Sequence, residues 1–104
     1  MKISYSKKKL ERILTNERLI KKHYTPYYQK LQNRLSELRA ANNLAEIPHI
    51  PPPRRHKLVG NYENCWGIDV AKNVRIVLKP NHENTKIDAA IINHVEIIKI
   101  EDYH

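Results

Sequence analysis

The segment Pro48-His49-Ile50-Pro51-Pro52-Pro53 constrains the chain most. Each proline fixes its own φ and lacks the N–H that a helix or a central strand needs, so no regular element passes through this stretch. It reads as a stiff crossing between two segments whose apolar residues recur with different periods. Before it, Ile3 and Tyr5 alternate with polar residues as in a short strand, and from Lys7 onward Leu10, Ile13, Leu14, Ile20 and Tyr24 follow helical spacing. Thr15-Asn16 marks a break, and Thr25-Pro26 is expected to cap and restart the helix. Tyr27, Leu31, Leu35 and Leu38 then form one apolar stripe, which Asn42-Asn43 ends. These residues predict a helical hairpin with a basic outer surface.

Beyond Gly60 the period becomes two. Trp66, Ile68 and Val70 alternate with Gly67, Asp69 and Ala71; Lys72-Asn73 fits a tight turn; Val74, Ile76 and Leu78 alternate with Arg75, Val77 and Lys79. That is a hairpin. Residues 80–88 read as a loop, residues 86–92 fit either a strand or a helical turn, and residues 95–100 are apolar on both faces, as in an interior strand. The expected fold class is α+β: one domain over residues 1–104, with a small antiparallel sheet packed on an N-terminal helical hairpin in the order β-α-α-β-β-β. Tyr24, Tyr27, Tyr28 and Trp66 read as packing residues.

Charge is divided as sharply as periodicity. The 104 residues carry a formal charge of +8, and residues 1–60 hold 14 basic against 4 acidic side chains. Such a surface suits a polyanion. Lys7, Lys8, Lys9, Lys21, Lys22, Arg34, Arg39, Arg54 and Arg55 are the expected nonspecific grip on such a polyanion. With 40% hydrophobic residues the chain has too much apolar material for a disordered basic tail. The single cysteine, Cys65, has no intramolecular partner, and no run approaches the roughly 18 apolar residues of a membrane span, so a cytoplasmic protein without membrane contact is expected.

Some chemistries drop out. Gly60 and Gly67 are the only glycines, which excludes a glycine-rich phosphate loop, and no paired cysteines offer a zinc site. The histidines His23, His49, His56, His82, His94 and His104 include no helical i, i+4 pair, so no metal site and no cofactor are read from the sequence. The ending Glu101-Asp102-Tyr103-His104 brings a carboxylate and an imidazole to one face if the last strand continues, with Tyr103 on the other. On spacing alone, a polar tail is the better account, since most chain ends are that.

Residues 60–70, Gly60-Asn61-Tyr62-Glu63-Asn64-Cys65-Trp66-Gly67-Ile68-Asp69-Val70, together with Asn73-Val74-Arg75-Ile76, Val95-Glu96-Ile97 and Glu101-Asp102-Tyr103-His104, resemble the HigB branch of the RelE/ParE superfamily of toxin–antitoxin toxins. The resemblance spans roughly the second half of the chain. Val59 and Val74 depart from it, standing where lysine and tryptophan are usual. It implies a ribosome-dependent endoribonuclease that cuts mRNA in the ribosomal A site and blocks translation. Its partners would be the ribosome, mRNA and a cognate antitoxin protein, with operator DNA reached only through the antitoxin. Carried over by position, it marks His56, Arg75, Asp102, Tyr103 and His104 as catalytic and Asn73 as substrate-binding; Arg54, Arg55 and Lys57 are read as substrate-binding with Asn73.

The chemistry fits those residue types. RNA carries its own nucleophile, the 2′-OH, so cleavage needs a base, an acid and a cation beside the phosphorane. His56 and His104 exchange protons near neutral pH, in either order of roles. Arg75 offers a planar donor fork, Asp102 orients a neighbour, and Tyr103 donates a hydrogen bond or stacks on a base. Arg75, Asp102, His104 and His56 are expected to converge on one open concave surface. Two rival readings stand beside this one: a noncatalytic basic RNA- or ribosome-binding module, which the basic helices alone would satisfy, and a gyrase-inhibiting toxin of the same fold, which the terminal Asp102-Tyr103-His104 disfavours.

Overall fold

Apolar periodicity becomes a helical layer laid on one face of a sheet. The computed structural model describes residues 1–83 and 88–103. Strand β1 (Lys2–Tyr5) leads into helices α1 (Lys8–Leu14), α2 (Glu17–His23) and α3 (Tyr28–Ala40). After the proline segment come β2 (His56–Lys57), β3 (Trp66–Ala71), β4 (Val74–Pro80) and β5 (His94–Asp102). The sheet order is β1-β5-β4-β3-β2.

The expected hairpin, helical pair and interior last strand are all present, with three refinements. The helical region has three helices, because the break at Thr15-Asn16 separates α1 from α2 and Asn16 caps α2 by accepting from Leu19 N–H at 3.2 Å. The sheet is mixed, since β1 pairs with β5 in parallel while β2, β3, β4 and β5 pair antiparallel. Thr25 works backwards: its hydroxyl donates to the Lys21 carbonyl at 2.7 Å, closing α2, and Pro26 opens a short 3₁₀ turn, Thr25–Tyr27, ahead of α3. Residues 89–91 form another 3₁₀ turn, and residues 86 and 87 of the undecided stretch lie outside the described residues.

The core lies between the helices and one sheet face. Leu31, Leu35 and Leu38 of α3 are buried to 1% exposure or less against Ile68, Ile76, Leu78 and Ile97. Burying each such side chain contributes about 1.5–3 kcal/mol, so α3 is held to the sheet by its stripe rather than by helix propensity. A second small cluster, Leu58, Cys65 and Val77 with Tyr62 and Ile98, covers part of the opposite face. Burial, reinforced by Glu96 and opposed by Lys79, raises the Cys65 thiol above its ordinary range. Among the described residues no helix is long and apolar enough to cross a membrane.

Candidate functional site

Alternation along β3 and β4 decides what the face away from the helices displays. Val74, Ile76 and Leu78 point into the main core, so Arg75 and Val77 point the other way. Register extends this across the sheet: His56 faces Gly67 and Gly67 faces Val77, while Asp69 faces Arg75 and Arg75 faces Glu101. One open face therefore carries His56, Asp69, Arg75 and Glu101 in two adjacent cross-strand rows. Tyr103 joins them from just beyond β5, where its N–H donates to the Asn73 carbonyl at 2.8 Å.

The charges on this face are paired in sequence. Arg54 donates to both oxygens of Asp69, at 2.6 and 3.2 Å. Arg75 donates to Glu101 through Nε at 2.8 Å and lies within 2.6 Å of the same carboxylate through Nη2. The Tyr103 ring lies 4.6 Å from the Arg75 guanidinium and the Tyr62 ring 5.9 Å from it. Desolvation pushes the Glu101 carboxyl upward, but hydrogen bonds from Tyr62 and Arg75 and the charges of Arg75 and Lys99 outweigh it and hold the carboxyl below its ordinary value.

His56 is oriented by its neighbours. Nδ1 lies 2.6 Å from the Arg54 carbonyl, which only accepts, so Nδ1 carries the proton and the neutral ring keeps its lone pair on Nε2. Gly67 makes room for the ring, since a Cβ there would come within 3.1 Å of His56 Cε1 and 2.9 Å of Leu58 Cδ2. Arg54 itself adopts φ 43, a left-handed conformation uncommon outside glycine, asparagine and aspartate. Its bidentate contact with Asp69, and the 2.7 Å hydrogen bond from Asp69 N–H to the Pro53 carbonyl, hold it there.

The sequence-derived set divides accordingly. His56, Arg75, Tyr103 and Arg54 share the open face. Asp102 does not join them: it pairs in register with Val74, on the side of the helices, where its charge raises the Tyr27 hydroxyl after desolvation. The expected convergence of Arg75 and Asp102 is thus corrected by strand register. Arg55 and Lys57 also fall on the helix side, 5.3 and 5.4 Å from the Trp66 ring, because Lys57 pairs with Trp66 rather than with Gly67. Asn73 occupies the tight turn at φ 62, and its carbonyl holds Tyr103. His104 lies outside the described residues.

The residues missed from sequence are Glu101, Asp69 and Tyr62. Each stands within a motif of the toxin-like segments, but only the β4–β5 and β3–β4 registers reveal that two carboxylates flank Arg75. The grip expected on RNA also changes in composition. Arg34 is paired with Glu37, Arg39 donates to the Leu14 carbonyl at 2.9 Å and Arg55 to the Ile47 carbonyl at 2.8 Å, whereas Lys8, Lys9, Lys21 and Lys22 are exposed.

No family model matches the sequence, and no curated protein matches it either. Solved structures do. A YoeB/ParE toxin from Agrobacterium tumefaciens superposes with a TM-score of 0.59 at 10% identity, covering 100% of both chains. A YoeB-YefM complex from Staphylococcus aureus superposes with a TM-score of 0.56 at 15% identity, covering 100% of this chain and 97% of that one. Over its whole length, this chain has the fold of the YoeB/ParE toxins.

Proposed function

We propose that this chain is the toxin of a type II toxin–antitoxin pair, of the HigB kind, and that it is a ribosome-dependent endoribonuclease acting on mRNA in the cytoplasm. One observation carries the reading: His56, whose Nδ1 is held by the Arg54 carbonyl, and Arg75 beside Tyr103 share the sheet face turned away from the helices. The YoeB-YefM complex supports a protein antitoxin as partner. The terminal Asp102-Tyr103-His104 favours the HigB branch.

In this scheme the RNA 2′-OH attacks the adjacent phosphorus, and Nε2 of His56 takes its proton. Arg75 neutralises the charge that builds on the nonbridging oxygens. Tyr103 flanks the guanidinium and offers its ring and hydroxyl to the nucleotide. His104 protonates the leaving 5′-oxygen, which yields a 5′-hydroxyl and a cyclic phosphate without an activated water. The exposed lysines of α1 and α2 bind ribosomal RNA. The test is 5′-end mapping of mRNA after brief expression. Cuts inside translated codons, with 5′-hydroxyl ends, are expected; intact mRNA on stalled ribosomes would assign a noncatalytic ribosome binder, and DNA damage with intact mRNA a gyrase inhibitor.

A further inference from the structure

Arg75 has a carboxylate on each side. Asp69 of β3 and Glu101 of β5 are both its cross-strand partners. Arg54 occupies the two oxygens of Asp69, which leaves Arg75 to Glu101. There the Nε and Nη2 groups converge on a single oxygen, Oε1, at 2.8 and 2.6 Å. One edge of the guanidinium is thereby consumed. Among the described residues Nη1 makes no hydrogen bond, while Tyr103 and Tyr62 pack near the group at 4.6 and 5.9 Å. The pair is largely withdrawn from solvent, with side-chain exposures of 20% for Arg75 and 14% for Glu101.

We propose that Glu101 is a positioning residue for Arg75: it grips the Nε–Nη2 edge so that the Nη1 side of the guanidinium is presented to the nonbridging oxygens of the scissile phosphate. This role rests on the cleavage reading above. An arginine on a strand has several rotamers, and an unanchored one must be ordered during the reaction; Glu101, fixed on a paired strand, orders it beforehand. The Tyr62 hydroxyl helps to hold that carboxyl in its charged form. The grip is on the side edge, so a phosphate need not displace Glu101 to reach Nη1. Glu101 touches no substrate atom in this arrangement and acts through Arg75 alone.

The experiment measures single-turnover mRNA cleavage in a purified translation reaction for wild type, Glu101→Gln, Tyr62→Phe, Arg75→Ala and the Arg75→Ala/Glu101→Gln double variant, each checked by thermal melt. Glu101→Gln is expected to lower the maximal rate about tenfold while the ribosome concentration for half-saturation stays within about twofold. Tyr62→Phe, which keeps the ring, is expected to fall between it and wild type. The double variant is expected to be no slower than Arg75→Ala, because the carboxylate has nothing left to position. In ¹⁵N NMR of the intact protein, the Arg75 Nε–H signal is expected to be sharp in wild type and broadened by solvent exchange in Glu101→Gln. A Glu101→Gln form that cuts at the wild-type rate or faster, a double variant slower again by the same factor, or an unchanged Nε–H signal would each overturn the role while leaving the cleavage reading intact. Intact mRNA with the wild-type protein would overturn that reading and this role together.

Discussion

Arg75 and Asp102 are carried on opposite faces of the sheet. Arg75 pairs with Glu101 and Val74 with Asp102, so neighbouring residues of β5 look in opposite directions at this position. The terminal motif is thereby split: Tyr103 packs on the arginine from one side, and Asp102 approaches Tyr27 from the other. Arg75→Ala is expected to reduce cleavage about a hundredfold or more, the scale of losing one preorganised donor to a developing oxyanion. Asp102→Asn is expected to cost less than about tenfold. Single-turnover rates on the two variants check the order, and a larger loss for Asp102→Asn would reverse it.

Arg75→Ala should also be less stable. It leaves the largely buried Glu101 without its cation, a loss on the order of 1–3 kcal/mol in urea unfolding at neutral pH.

The pH dependence of that contribution has a definite sign. The folded-state Glu101 carboxyl lies below its ordinary value, so its stabilisation is fully present above the ordinary range, about 4.3, and is lost as pH falls through the lower folded-state value. The stability difference between wild type and Glu101→Gln is therefore expected to be constant from about pH 6 to 8 and to shrink in acid. Urea midpoints measured from neutral pH down into acid test it; a difference growing toward low pH would contradict it.

The two glycines should respond differently to alanine. At Gly67 the new methyl meets Leu58 Cδ2 at 2.9 Å and the His56 ring at 3.1 Å, so the Leu58 methyl must shift and the ring must give by a few tenths of an ångström. A cost of about 1–3 kcal/mol and slower cleavage are expected. At Gly60 nothing lies within 4 Å, but φ is +69, so the cost is backbone strain of about 1–2 kcal/mol with the cleavage rate preserved. Melting curves and cleavage rates on both variants separate the effects.

Ribosome binding should depend on lysines rather than on the arginines of α3. Replacing Lys8, Lys9, Lys21 and Lys22 by glutamine is expected to flatten the plot of log affinity against log salt by about 0.7–0.9 for each phosphate that is no longer neutralised. Arg34→Gln and Arg39→Gln, whose cations are held by Glu37 and the Leu14 carbonyl, are expected to lower the melting temperature and leave the slope unchanged.

Local signals in the sequence determined the elements. The leucine stripe of α3, the break at Thr15-Asn16, the Lys72-Asn73 turn and the proline crossing each act through neighbours a few residues away, and each was legible for that reason. So were the charge division and the likeness of the terminal residues to a toxin family. Tertiary structure decided what those elements bring together. Whether Arg75 meets Glu101 or Asp102 turns on a one-residue difference in β4–β5 register, and a shift of one residue exchanges the two faces. Arg55 and Lys57 fell away from His56 for the same reason, and Asp69 became Arg54's partner only when the chain after the prolines folded back over β3. Periodicity records which residues of one strand share a side; only pairing between strands distant in the chain sets which side faces the helices and which cations find a carboxylate.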